Sequence, residues 1–188
     1  MACISKISRA INYDCDTGNT GIISALLINK EDIASLTFDP LYPAFVTGIT
    51  LKAGASAFKI DTPKRTLVIT ESLKINEGAP NAYTHTATVV VTAPVVSALL
   101  GDLINPVANG SFVILTKVLK PVGSSATSDS ARPFGLYYGM SATSVDRSSH
   151  DNGAWFTITM ATPERVIGED ALAINNALYD TLYGAAVG

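Results

Sequence analysis

Ser149, His150 and Asp151 bring together the three residue types of a hydrolytic triad. In such a triad the hydroxyl attacks, the imidazole takes its proton and the carboxylate orients the imidazole, so the three side chains must converge from separated elements. Consecutive residues cannot point at one another in that relay. His150 lies in a polar run, 144–153, that predicts a loop, and His85 is the other histidine of the chain. We therefore predict no catalytic residues and no enzymatic activity.

A second chemical pattern is Asn12-x-Asp14-x-Asp16, whose alternating oxygen ligands resemble the start of a calcium-binding loop. Thr17 stands where that loop requires glycine, and Ile23 stands where it requires a bidentate glutamate. The pattern favours a surface turn, with an ion held by Asp14 and Asp16 as the alternative. Glycine-rich phosphate-binding motifs are absent from the sequence, so we predict no metal and no cofactor.

The composition points to association between chains. Of 188 residues, 13 are basic and 16 acidic, so that 15% are charged against 47% hydrophobic. Soluble domains are closer to about a quarter charged. The net charge of −3 provides no broad cationic face for nucleic acid, and the apolar content is sufficient to order the chain. Either copies of the chain associate or the surface is unusually neutral.

The first residues, the two cysteines and one uncharged stretch indicate cellular location and redox state. The first residues alternate Lys6 and Arg9 with apolar side chains and lack the continuous apolar region of a secretory signal, so we expect a cytoplasmic protein. Cys3 and Cys15 are expected to be reduced thiols. The stretch 78–101 contains no charged residue, but its prolines and alternating threonines predict a strand and not a membrane span.

The pattern of the whole chain predicts a mainly β fold, a β-sandwich or barrel formed by a single domain, 1–188. Threonine and valine dominate its middle part, and turn residues recur every 8–15 residues or so. Strands are expected at 21–28, 45–51, 134–140 and 155–160. The segment 111–119 is apolar on both faces, which predicts a central strand covered on two sides.

A long protruding β-hairpin is expected at about 66–93. Its first arm alternates with Leu67, Ile69 and Leu73 on one side, where Glu71 interrupts the apolar row; its second arm alternates from 83 to 93. A hairpin of about ten residues per arm is near the upper limit of common strand lengths. His85 falls on the apolar side, which suits a core-edge or interface histidine. The predicted subunit-interface residues are those of the hairpin: Glu71, Lys74, Asn76, Glu77, Asn81, Tyr83 and His85.

In the last third of the chain, the sequence predicts a mobile loop at about 121–133 and one flanking C-terminal α-helix at about 169–183. Glu169 and Asp170 suit the first turn of that helix, and Gly184 is expected to end it.

The hairpin at 66–93, the loop at 121–133, and the ending 155–165 followed by the 169–183 helix resemble phage tail-tube proteins and their relatives in contractile injection systems and tail or neck rings. The ending also resembles uncharacterised phage structural proteins. This resemblance implies a homo-oligomer, commonly six subunits per ring, with rings stacked head to tail as a conduit. Genome DNA would pass through without specific binding. The resemblance further implies contacts with other tail proteins, assembly in the bacterial host cytoplasm and residence in the virion tail.

In one respect the chain departs from that family. An often acidic lumen is expected, yet the hairpin offers only Glu71 and Glu77 against Lys74. The alternative function is a carbohydrate- or receptor-binding β-sandwich, an accessory domain of a phage tail, which would use exposed aromatic side chains such as Tyr42, Tyr83 or Trp155.

Overall fold

Strands dominate the computed structural model, which describes residues 21–60, 67–74, 82–91, 105–118, 131–148, 155–163 and 172–187. The strands over these residues are β1 (Ile22–Asn29), β2 (Ile33–Phe38), β3 (Phe45–Leu51), β4 (Phe58–Lys59), β5 (Val68–Lys74), β6 (Ala82–Val91), β7 (Phe112–Val118), β8 (Ala131–Phe134), β9 (Ser141–Ser148), β10 (Trp155–Ala161) and β11 (Ala173–Ile174). A 3-10 turn covers Lys30–Asp32, and the helices are α1 (Asn105–Asn109) and α2 (Asn176–Ala185).

The strands form two sheets. Sheet A has seven strands in the order β2-β3-β11-β8-β7-β1-β4, and sheet B has four in the order β5-β6-β10-β9. Neighbouring strands are antiparallel except β3 and β11, which run parallel. Over the described residues neither sheet closes into a barrel, and the fold is sandwich-like. This confirms the predicted fold class and selects the sandwich over the barrel.

Strand β7 separates two hydrophobic cores, as its two-sided apolar pattern predicts. Phe112 and Ile114 belong to the core between the two sheets, whereas Val113 and Leu115 belong to the core on the opposite face of sheet A. All four side chains are buried. Because both faces of β7 are covered, the apolar side chains of neither face meet water.

Helix α2 covers the second core, but its bounds differ from the prediction. Ala173 and Ile174 form a strand paired with Phe45 and Val46, so a helix cannot run through them. The helix begins where the Asn175 side chain accepts a hydrogen bond from the backbone N–H of Ala177 across 2.8 Å. It continues past Gly184 to Ala185. Glu169 and Asp170 lie outside the described residues.

Three further expectations are corrected. The strand predicted at 134–140 ends at Phe134, because Gly135 (φ +71°) and Gly139 (φ +75°) turn the chain before β9 begins. The polar run at 144–153 is a strand as far as Ser148. The loop predicted at 121–133 has its last three residues in β8, and its other residues lie outside the described residues.

The predicted hairpin is present as β5 and β6. The ladder runs from Val68 opposite Thr88 to Lys74 opposite Ala82 with no register shift. Its second arm also pairs with β10 over residues 86–91, so β6 is an inner strand and only the tip of the hairpin extends beyond β10.

Candidate assembly surface

The hairpin has an inner and an outer face, and Glu71 and His85 lie on the inner one. Glu71 and His85 are directly opposite one another in the β5–β6 ladder. The His85 side chain is only 1% exposed, whereas that of Glu71 is 21% exposed. The imidazole packs edge-on against the Phe134 ring, with ring centroids 5.2 Å apart. His85 is therefore covered within the subunit, which agrees with the core-edge alternative.

The two nitrogens of the His85 ring face different groups. Nδ1 accepts a hydrogen bond from the backbone N–H of Gly135 across 3.1 Å. A neutral imidazole that accepts at Nδ1 carries its proton on Nε2. Nε2 lies 3.4 Å from Oε2 of Glu71 and, within the described part of the chain, has no hydrogen-bond partner. Arg132 approaches the other oxygen of the same carboxylate, with Nη1 3.9 Å from Oε1.

Burial sets the protonation state of His85. Removal of the ring from water disfavours the imidazolium and lowers the pKa of His85 from 6.5 to about 4. A proton on Nδ1 would also face the Gly135 N–H and break that hydrogen bond. His85 is therefore neutral at pH 7, and the pair does not act as a salt bridge there.

Backbone hydrogen bonds fix His85 to a third element. Its N–H donates to Oγ1 of Thr162 across 3.1 Å, and the N–H of Thr162 donates to the carbonyl of His85 across 3.0 Å. His85 thus ties the hairpin to the end of β10 and, through Gly135, to the turn after β8. These hydrogen bonds have a structural role. They hold β5 and β6 in position and do not expose the His85 ring as a reactive group.

The outer face of sheet B is almost free of charge. Alternation and register place on it Val68, Thr70, Ser72 and Lys74 of β5, Thr84, Thr86, Thr88 and Val90 of β6, Thr157, Thr159 and Ala161 of β10, and Ser144 and Asp146 of β9. We call this surface the threonine face. Its charged members among these residues are Lys74, at the end of β5, and Asp146 on β9. Between these two positions the face carries small, hydroxyl and apolar side chains.

The outer edge of β5 borders the threonine face and is open. Among the described strands, none pairs with β5 on the side away from β6. Val68 is 54% exposed and Leu73 is 51% exposed on this strand. Edge strands are usually protected by bulges, charges or prolines, since their unpaired backbone groups can pair with another chain.

The other edge strands carry more of these protective features. The β2 ladder has register shifts between Ile33 and Ser35 and between Thr37 and Phe38, and β9 contains Asp146 and Arg147. Strand β4 has two residues only. Strand β5 also carries charge, with Glu71 pointing inward and Lys74 at its end, but its ladder is seven residues long, has no register shift and contains no proline. Strand β5 is therefore the edge best suited to pair with a second chain.

The predicted interface residues thus separate into groups. Glu71 and His85 lie on the inner face, and half-buried Tyr83 shares their side of β6. Lys74 ends β5 opposite Ala82. Asn76, Glu77 and Asn81 lie outside the described residues. Sequence reasoning missed Arg132, Gly135 and Thr162, which reach His85 from distant segments and carry no local signal.

The other chemical patterns receive no support from the described residues. Those residues contain no group of three or more His, Cys, Asp or Glu side chains that could hold a metal ion. Neither described helix has the length and apolar character needed to cross a bilayer. Ser149, His150 and Asp151, and likewise Asn12, Asp14 and Asp16, lie outside the described residues.

Comparisons with protein-family models, with curated proteins and with solved structures found no match to this chain.

Proposed function

We propose that this chain is a phage structural subunit that self-assembles into rings, which stack to form a tail tube or neck conduit. The observation that carries the proposal is the open, regular edge of β5 beside the threonine face. A neighbouring copy that adds a strand at this edge satisfies backbone groups that a monomer leaves to water. A ring requires β5 to pair with a different edge of the next copy, such as β9 at the other side of sheet B, because β5–β5 pairing would close as a dimer.

The side chains at this edge suit burial. Val68 and Leu73 are about half exposed, so a covering strand removes apolar surface from water. Association that desolvates charges carries a large penalty unless each charge is paired. The threonine face presents Asp146 on the far strand, β9, and Lys74 at the end of β5. Contact along residues 68–72 of β5 therefore buries uncharged side chains on this face, with Lys74 at the end of the contact.

The proposal includes a role for the assembled state. Six subunits per ring is the expected number for the resembled family, and rings would stack head to tail and meet other tail proteins. The net charge of −3 suits a conduit through which DNA passes without being held. Such a protein would be assembled in the bacterial cytoplasm and reside in the virion tail.

Self-assembly through β5 is tested by introducing a charged side chain at the edge of that strand. Val68→Lys puts an ammonium group where an added strand would cover it, and Ser35→Lys puts the same group at an exposed position of the β2 edge of sheet A. We expect Val68→Lys to remain folded and to lose assembly, whereas Ser35→Lys assembles like the wild type. Mass photometry and negative-stain microscopy give the readout. Equal assembly by both variants would remove β5 from the interface.

One observation favours the alternative, a carbohydrate- or receptor-binding accessory domain. Tyr42 is 70% exposed in the loop between β2 and β3, and exposed aromatic rings commonly stack on sugars. Tyr83 is half-buried, and the side chain of Trp155 lies outside the described residues. Glycan-array binding by single subunits, lost in Tyr42→Ala, would support this alternative.

A further inference from the structure

The loop between β2 and β3 holds two apolar side chains out into water. Leu41 is 80% exposed and Tyr42 is 70% exposed, the two highest values among the large hydrophobic residues described. We call residues 39–44 the Leu41–Tyr42 loop. Pro40 and Pro43 restrict its backbone.

Hydrogen bonds make this loop rigid. Oδ1 of Asp39 accepts from the backbone N–H of Leu41 across 2.8 Å and from that of Tyr42 across 3.1 Å. The backbone N–H of Asp39 donates to the carbonyl of Phe45, and the N–H of Phe45 donates to the carbonyl of Tyr42, each across 2.8 Å. A loop ordered in this way loses little conformational entropy when it binds. Its two exposed side chains are therefore preorganised for contact.

A cavity with an apolar wall, which suits the two apolar side chains of the loop, lies beside β4. Its volume is about 410 Å³, and it is lined by Asp32, Lys52, Ala53, Gly54, Ala55, Ser56, Phe58 and Val187. We call it the β4 cavity. Phe58 is 43% exposed and Val187 is 52% exposed, so its apolar wall is open to water. Pockets for small ligands start at about 300 Å³, so one aromatic side chain fits.

The β4 cavity also has a fixed shape. The N–H of Val187 donates to the carbonyl of Ala57, and the N–H of Lys59 donates to the carbonyl of Val187, both across 2.9 Å. On the opposite side, the N–H of Ala55 donates to the carbonyl of Lys52 across 3.0 Å, and Gly54 adopts a φ of +82° in that turn. Both walls are thus held by backbone hydrogen bonds.

The loop and the cavity lie at opposite ends of one hairpin. Phe38 pairs with Val46 beside the loop, and Ile33 pairs with Leu51 beside Asp32 and Lys52. Six residues of strand separate the two ends by about 20 Å, at about 3.4 Å per residue. A copy displaced along the hairpin axis would therefore bring its loop to the cavity of the next copy.

We propose that the Leu41–Tyr42 loop of one copy inserts into the β4 cavity of the next, so that the β2–β3 hairpin lies along the stacking direction. This inference rests on the proposed self-assembly and specifies its second contact. Tyr42 and Leu41 cover Phe58 and Val187. Two charged residues line the cavity: Asp32 accepts a hydrogen bond from the Asn29 side chain of its own subunit, and Lys52 is the cation that the Asp39 carboxylate of the incoming loop would meet. The contact joins different surfaces of the two copies, so it propagates and does not close as a pair.

The area buried by one such contact is too small to hold two copies together by itself. Two such side chains bury on the order of 300 Å², while a stable interface needs about 800 Å² per partner. One contact is therefore weak. A ring joined through β5 presents several identical contacts to the next ring, and their combined strength is far greater than that of one.

Disulfide trapping tests the inference. In a background of Cys3→Ser and Cys15→Ser, we expect subunits with Ala44→Cys, which keeps both inserting side chains, to form disulfide dimers with subunits that carry Ala53→Cys. The control partner carries Thr143→Cys, an exposed position on β9, and should give at least tenfold less product. Equal cross-linking to both partners would overturn the inference.

A second measurement separates this inference from the proposed function. The double variant Leu41→Ala/Tyr42→Ala should form single rings with shortened or no stacks in negative-stain micrographs. Stacks of wild-type length from this variant would overturn the inference alone. A strictly monomeric wild-type protein would overturn both proposals. If Tyr42→Ala abolishes binding to a glycan and leaves the stacks intact, the loop binds carbohydrate and the inference fails.

Discussion

Gly135 donates its backbone N–H to Nδ1 of His85 across 3.1 Å, and this hydrogen bond links the hairpin of sheet B to the turn that follows β8 in sheet A. The bond fixes the tautomer, directs Nε2 toward Glu71 and favours a neutral ring. This polar contact lies in the core between the two sheets, where the His85 ring also packs against Phe134.

Acid should weaken the fold through His85. The pKa of His85 is lowered to about 4 in the folded chain, below its ordinary value of 6.5, so between these values the unfolded chain binds a proton that the folded chain does not. The stabilisation is complete above about pH 6.5 and is lost as the pH falls toward 4. Between pH 7 and 5 the expected loss is on the order of 1–2 kcal/mol.

Urea unfolding measured at several pH values checks this dependence. His85→Gln removes the titrating group, so its free energy of unfolding should change less between pH 7 and 5 than that of the wild type. An identical pH dependence in both proteins would show that His85 does not titrate in this way.

Gly135→Ala should destabilise the fold more than Gly54→Ala. Both glycines have positive φ, +71° and +82°, so alanine costs backbone strain at each position. A Cβ at position 135 would lie 2.5 Å from Cγ of Met140, whereas one at position 54 meets nothing within 4 Å. We expect a loss of about 1 kcal/mol for Gly54→Ala and at least twice that for Gly135→Ala, measured by thermal or urea unfolding. Equal losses would contradict the packing described around Gly135.

Tyr179→Phe should weaken the docking of α2 on sheet A. The Tyr179 side chain is 1% exposed, and its hydroxyl donates to Oγ of Ser24 across 2.9 Å. Loss of the hydroxyl leaves Ser24 without that partner and should cost about 1 kcal/mol in the free energy of unfolding. The control, Ser24→Ala/Tyr179→Phe, removes both groups and should lose less than the sum of the single variants. Additive losses would show that the two hydroxyls are not coupled.

The parts of the fold that follow from local periodicity were predictable from sequence. Alternation predicted both arms of the hairpin, and the two-sided apolar pattern at 111–119 predicted the central strand β7. The start of α2 was not predictable in the same way, because Ile174 pairs with Val46, a partner distant in sequence. Asn175 then caps the helix where Glu169 and Asp170 suggested an earlier start.

The candidate assembly surface was only partly predictable, because it too depends on contacts between residues that are distant in sequence. The sequence showed that charges were scarce at 78–101, but the threonine face exists only because β5, β6, β10 and β9 lie side by side. Alternation placed His85 and Glu71 on the apolar sides of their strands, but only the register of the β5–β6 ladder sets the two residues opposite one another. Of the uncharged stretch 78–101, the described residues 82–91 contribute one strand, β6, to the threonine face.

The most direct test of the central claim is the assembly state of the wild-type chain. Negative-stain microscopy and mass photometry at tens of micromolar, alone and with other tail proteins, should show rings or stacked tubes of uniform diameter. A single monomeric species under all of these conditions would contradict self-assembly through the β5 edge.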